Sequence, residues 1–178
     1  MAIFNSRRLS PADLALSFGA IAFPLHVWAI INILAILPAW LLRLSLWELA
    51  GVISYPLVDA LLESAILWIV AVGLSFVLPR KWWADKFVAL SSALAWLLAA
   101  WAVLAQFIYD RILLWGPGQI IPGLLLVVFS FGLVYWLVQR YGRLEGWIKG
   151  LAQRLVVLTY LYIVFDLLGL VVVILRNL

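Results

Sequence analysis

The chain has 178 residues, of which 68% are hydrophobic and only 11% are charged. A soluble domain is about half apolar and about a quarter charged, and a water-soluble fold of this size cannot bury so much apolar surface. The composition therefore predicts an integral membrane protein, and the lack of cysteine excludes disulfides, thiolate metal sites and cysteine nucleophiles within this chain.

The first predicted span covers about 12–37. Ser10 is a candidate N-cap, Pro11 suits the first helical position and Asp13 suits the first turn. Pro24 is expected to bend this helix, and Pro38 is expected to end it. The length of the apolar run favours a retained anchor over a cleaved secretory signal.

An interfacial helix is predicted at about 39–54, followed by a second span at about 56–78. Ser45 and Glu48 have capping-box spacing, so a helix is expected to begin there. One continuous helix from Leu46 to Leu78, kinked at Pro56, is the alternative. It would be about 50 Å long and would have to tilt or bend within the bilayer.

Three further spans are predicted at about 86–109, 119–139 and 152–175. The turn 116–118 (Gly-Pro-Gly) separates the third span from the fourth. The stretch at about 143–151 is amphipathic and is predicted to be an interfacial helix, with a polar loop as the alternative. The sequence thus predicts an all-α, polytopic transmembrane bundle of about five spans, forming a single domain over 1–178.

The cations of the chain predict its orientation, because basic connections stay in the cytoplasm. With five spans, nine Lys and Arg residues fall on one side and three on the other. The richer side has Arg7, Arg8, Arg80, Lys81, Lys86, Arg140, Arg143, Lys149 and Arg154; the poorer side has Arg43, Arg111 and Arg176. We therefore expect a cytoplasmic N-terminus, an external C-terminus and a place in the bacterial cytoplasmic membrane. Contact with anionic lipid is predicted for Arg80, Lys81, Arg140, Arg143, Lys149 and Arg154.

Small residues recur at helical spacing on three spans, which is how membrane helices approach one another closely. On the first span they are Gly19 and Ala22; on the third they are Ala95, Ala99 and Ala102; on the fifth it is Gly169. We expect these three stripes to face the bundle interior or a partner protein.

Polar side chains inside the spans are costly in lipid and usually face protein or water. Their estimated depths predict one polar cluster in the outer half of the bilayer, where neighbouring carboxylates would favour proton sharing or cation binding. The predicted cluster consists of His26, Asp59, Glu63, Gln106 and Asp166.

Each ionisable member also has a purely structural interpretation. Asp59 suits the first turn of its helix, and Glu63 could pair with an arginine at the outer surface. His26 could bond a backbone carbonyl freed by Pro24, and Asp166 could make a packing hydrogen bond with another helix or subunit.

No motif for hydrolysis, phosphoryl transfer or dinucleotide binding is present, so no catalytic residue, metal ligand or cofactor is assigned and an enzyme is the least favoured class. The leading hypothesis is a non-catalytic subunit or scaffold of a larger membrane complex. One alternative is a small proton- or cation-coupled transporter or channel that uses the predicted cluster. Another is a lipid- or cofactor-binding protein, since Trp68, Trp96, Trp101 and Trp136 fall within spans. The expected partners are membrane lipids and other membrane subunits or further copies of the chain, and not nucleic acid.

Overall fold

A computed structural model describes residues 9–178, apart from the side chain of Pro117, and has no strand in that range. Its helices are α1 (Pro11–Leu41), α2 (Leu46–Val77), α3 (Phe87–Phe107), α4 (Tyr109–Ile112), α5 (Pro117–Arg140) and α6 (Gly142–Asn177), with 3₁₀ turns at Arg80–Trp82 and Ala84–Lys86. Five helical segments are long and apolar enough to cross a membrane, which confirms the predicted all-α transmembrane bundle. Arg7 and Arg8 lie outside the described residues, and the sidedness of the termini stays a prediction.

The start of α1 follows the expected capping pattern, but its end does not. The Asp13 N–H donates to the Ser10 hydroxyl at 3.0 Å, and this bond satisfies one of the free donors of the first turn. The helix then continues through both Pro24 and Pro38 to Leu41. A proline removes only one backbone donor, and in an apolar surrounding the helix is still the conformation that satisfies the other backbone groups.

The second helix is continuous from Leu46 to Val77 and contains Pro56. It begins at a complete capping box, in which Ser45 and Glu48 bond each other's backbone N–H groups. This arrangement is the single long helix that was the alternative prediction, and it replaces the separate interfacial helix expected at about 39–54. The capping box starts the helix at Leu46, and no turn sequence lies between it and Pro56. The helix therefore continues to Pro56 without interruption.

The last helix is also longer than its predicted span. The amphipathic stretch at about 143–151 is helical, but it is continuous with the span that follows it, as one helix of 36 residues. Gly146 and Gly150 in this stretch do not interrupt the helix, since a lone glycine costs only about 1 kcal/mol relative to alanine.

The bundle is organised around α1, which packs against α2, α3 and α6, while α2 also packs along α6. We call the end where α1 begins the proximal end and the opposite end the distal end. Helices α1, α3 and α6 run from proximal to distal, and α2 and α5 run back. The apolar core lies in the proximal half and includes Ala20, Ile21, Val88, Leu90 and Ala152.

Indole groups hold helices and a connection together in this core by donating to backbone carbonyls. Trp68 of α2 donates to the Leu14 carbonyl of α1 at 3.1 Å, and Trp83 donates to Ala71 at 2.9 Å. Each bond satisfies the one donor of an indole in a region without water. Trp68 therefore acts here as a packing residue rather than as the lining of an open ligand site.

Helix α5 is peripheral and is attached mainly at its proximal end. The Lys86 ammonium donates to the carbonyls of Val138 and Gln139 at 2.9 and 3.0 Å, which matches a cation to the electronegative end of a helix. Val138 is fully buried, whereas most of α5 presents exposed apolar side chains. The outer face of α5 is therefore suited to hydrocarbon.

The α1–α6 contact is close enough to depend on glycine at position 19. A Cβ atom there would lie 2.6 Å from Thr159 Oγ1 and 3.1 Å from Val156 Cα. We expect Gly19→Ala to destabilise the bundle by about 1–3 kcal/mol, because the neighbouring backbone must move. Gly73→Ala is the matched control, since a Cβ at Gly73 meets nothing within 4 Å, and it is expected to be neutral or stabilising. Thermal unfolding in detergent measures both, and equal unfolding temperatures for the two variants would contradict the close α1–α6 approach.

Candidate functional site

The interior of the bundle contains a pair of ionisable side chains, His26 of α1 and Asp166 of α6. Each side chain is only 1% exposed. The His26 Nε2 atom lies 3.0 Å from Asp166 Oδ2 and 3.2 Å from Oδ1. Tyr162, one turn before Asp166, stacks on the imidazole with ring centroids 4.8 Å apart and planes 10° apart. Two spans distant in sequence are thus joined by a pair enclosed within the protein.

The geometry places one proton between His26 and Asp166. The other imidazole nitrogen, Nδ1, lies 2.8 Å from the Ala22 carbonyl, and because a carbonyl can only accept, Nδ1 carries a hydrogen. The contact between Nε2 and the carboxyl group then needs a second proton, held either by the imidazole or by the acid. The pair is electrically neutral as a whole in both forms, which limits the free-energy cost of burying it in hydrocarbon.

The surroundings of Pro24 show which group bonds the carbonyl that this proline frees. A proline in a helix leaves the carbonyl four residues earlier without its usual donor, and here that residue is Ala20. The Trp96 indole of α3 donates to the Ala20 carbonyl at 2.7 Å. The role expected for His26 is therefore taken by Trp96, and His26 bonds Ala22 and Asp166 instead.

The structure brings together two of the five residues of the predicted cluster and leaves the other three apart. The side chains of Asp59, Glu63 and Gln106 are exposed on the outside of the bundle, and none has a hydrogen bond or ion pair within residues 9–178. Helix α2 turns Val58 and Ser64 inward, so Asp59 and Glu63 point outward. The five-residue cluster is corrected to the His26–Asp166 pair, because equal depth does not place residues on the same side of a helix.

The structural interpretations of Asp59 and Glu63 are corrected as well. Asp59 lies well inside α2, which begins at Leu46, so the dipole of a first turn does not act on it. The ion pairs formed by the described residues do not include one between Glu63 and either Arg43 or Arg111.

The small-residue stripes divide between packed interfaces and open surface. Gly19 and Ala22 of α1 and Gly169 of α6 are buried, and Gly169 lies against the backbone of Ser54 in α2. On α3, Ala95 and Ala99 are only partly buried and Ala102 is exposed. Helix α3 therefore diverges from α1 towards the distal end.

Two apolar grooves open where α3 diverges. The larger, of about 680 Å³, lies between α1, α3 and α6 and is lined by aromatic residues that include Phe23, Trp28, Trp96 and Phe107. The smaller, of about 290 Å³, lies between α1, α2 and α3, and Glu63 is its one charged lining residue. We call the larger the aromatic groove and the smaller the Glu63 groove.

The cations predicted to contact lipid all lie at the proximal end, in two kinds of environment. Arg80 pairs with Asp85 at 2.7 Å, and Lys149 pairs with Glu145 at 2.7 Å while Lys86 approaches the same carboxylate at 3.2 Å. Surface pairs of this kind contribute little stability, but they hold the connections in place. The remaining cations of this set are exposed: Lys81, Arg140, Arg143 and Arg154.

Two further buried hydroxyl groups lie on the predicted stripes of the third and fifth spans. The side-chain oxygens of Ser92 and Thr159 are buried and have no hydrogen-bond partner among the described residues. Thr159 packs against Gly19. The sequence signal was present, since Ser92 and Thr159 lie at helical spacing with the α3 and α6 stripes, but spacing does not show whether a hydroxyl finds an acceptor.

The His26–Asp166 pair can share one proton, and within residues 9–178 the His, Asp and Glu side chains form no group of three that could hold a metal ion. Comparison with protein-family models, with curated proteins and with solved structures finds no match for this chain.

The contribution of the pair can be measured with two substitutions of Asp166. Asp166→Asn keeps an uncharged hydrogen-bond donor for His26 Nε2. We therefore expect the free energy of unfolding to fall by less than about 1 kcal/mol. Asp166→Leu leaves a buried imidazole nitrogen without a partner, and we expect it to lower the free energy of unfolding by about 2 kcal/mol or more. Thermal unfolding in detergent compares the two. A leucine variant as stable as the asparagine variant would show that the pair does not stabilise the α1–α6 contact.

Proposed function

We propose that this chain is a non-catalytic subunit or scaffold of a larger membrane complex, in the bacterial cytoplasmic membrane with a cytoplasmic N-terminus. The observation that carries the proposal is the exposure of Asp59 and Glu63 well inside the apolar helix α2. Polar side chains in the hydrocarbon region normally face protein or water, and within residues 9–178 of one copy these two do not. A protein surface outside the chain would give them the partners they lack.

The arrangement of the buried polar groups supports the same proposal. His26 bonds both Ala22 and Asp166, and the serines of α2 donate back to carbonyls of their own helix, for example Ser64 to Ala60 at 2.6 Å. These bonds account for the interior in structural terms. The transporter alternative receives less support, because its predicted carboxylate–histidine cluster is divided between the interior and the outer surface.

The aromatic groove favours lipid binding as a second candidate function. Its lining combines Phe23, Trp28, Trp96 and Phe107, together with apolar residues of α6, and its volume of about 680 Å³ is in the range of ligand sites. Such a site suits an acyl or isoprenoid chain. A lipid bound there is compatible with the subunit role.

Purification of the tagged chain from native membranes with a mild detergent tests the proposal. We expect other membrane proteins to elute with it in fixed ratio and the particle to be larger than one copy of the chain. Mass spectrometry of the same material detects any retained lipid. The subunit proposal fails if the chain elutes as a monomer without other proteins. If the chain elutes as a monomer with a stoichiometric lipid, lipid binding replaces the subunit role as the proposed function.

A further inference from the structure

Glu63 lies in the hydrocarbon region for any placement of α2 in a bilayer. At a rise of 1.5 Å per residue, it is roughly 25 Å from Leu46 and roughly 20 Å from Val77 along the helix. A hydrocarbon core about 30 Å thick cannot be placed along this helix without including Glu63. Its carboxyl group is nevertheless exposed on the outside of the bundle. A lone carboxylate facing lipid is costly.

The Glu63 groove has the shape and lining of a helix-docking surface. Beside Glu63, its walls are apolar and contain three alanines of α3, namely Ala95, Ala99 and Ala102. Small residues allow another helix backbone to approach closely. The opposite wall is formed by Ile21 and Leu25 of α1 and by Ile66 and Leu67 of α2. The groove thus offers close apolar contact along its length and one acidic group.

Within residues 9–178 no lysine or arginine reaches this groove. The Lys and Arg residues of this range lie in the connections, at helix ends or in the proximal part of α6. Arg154 is the deepest of them, and it lies roughly 18 Å before Asp166 along α6. A second copy in the same orientation has its cations at the same depths, so it supplies none to Glu63 either.

Asp59 extends the acidic character of this face by one helical turn. Residues four apart lie on the same side of a helix, so Asp59 and Glu63 both point outward from α2, and both are exposed. Two carboxylates at this depth repel each other unless a cation or a proton is shared between them. A single guanidinium or ammonium group between them would satisfy both.

We propose that the Glu63 groove binds a transmembrane helix of a different protein, which carries a lysine or arginine near its middle. The cation pairs with Glu63, with Asp59 one turn away, and the helix backbone packs on the alanines of α3. This inference rests on the proposed function and specifies the face and the chemistry of the partner. Charge complementarity selects this occupant over a second copy of the chain and over lipid tails.

Site-specific photocrosslinking in native membranes tests the docking surface. A photoreactive residue replaces Leu98, which lines the groove and is 41% exposed, or Phe129 of α5, which is 66% exposed and serves as the control position. We expect the probe at position 98 to attach to a transmembrane segment of another protein. Mass spectrometry identifies the attached peptide, which should contain a lysine or arginine in the middle of the span.

Three carboxylate substitutions then test the charge. Glu63→Gln is expected to lower the crosslink yield about three- to thirtyfold, and Asp59→Asn is expected to lower it less. Asp110→Asn, an exposed carboxylate on α4 outside the spans, should leave the yield unchanged. Thermal unfolding of Glu63→Gln in detergent should match that of the wild type, because Glu63 has no partner within the described chain.

The outcomes separate this inference from the proposed function. Attachment to a second copy, to lipid alone or to a segment without a basic residue overturns the docking inference, and so does a yield that Glu63→Gln leaves unchanged. If partners elute with the wild type but none attaches at position 98, the inference fails while the subunit role stands. If the wild type elutes alone, both fail.

Discussion

Hydrocarbon cannot form hydrogen bonds, and this constraint decides where the polar groups of the chain lie. In the interior most polar groups have a partner nearby, although the buried hydroxyls of Ser92 and Thr159 have none among the described residues. The Trp96 indole bonds the carbonyl that Pro24 frees, and His26 bonds both Ala22 and Asp166. The helices α1, α3 and α6 are therefore held together by a small number of polar contacts set within apolar packing.

The same constraint applies to the polar side chains on the outer surface of the bundle. Asp59 and Glu63 are exposed well inside α2, a helix long and apolar enough to cross a membrane. The divergence of α3 leaves its small residues beside Glu63 in an open groove. An exposed carboxylate and an exposed surface of small residues occur together, and the proposed partner helix would contact both.

Periodicity and length predicted the five spans, the start of α1 at Ser10 and the burial of Gly19, Ala22 and Gly169, because these depend on local sequence and on the thickness of the bilayer. The continuity of α2 through Pro56 could not be predicted from the proline alone. It depends on the need of the remaining backbone groups for hydrogen bonds in lipid, which the helix provides. Depth placed His26 and Asp166 in one predicted cluster, but it also placed Glu63 there, and the outward position of Glu63 depended on the rotation of α2 about its axis. Rotation is set by packing against other helices, so a single sequence does not determine it.

The central claim is that the chain crosses the membrane five times, so that its connections alternate between the two faces. The absence of cysteine makes this directly measurable, since a single introduced cysteine is the only labelled site. Membrane-impermeant maleimide should react with cysteine at Leu42 or Gly116 from outside the cell, and with cysteine at Lys81 or Gly142 only after the membrane is opened. Reaction of all four positions from the same face would contradict the account.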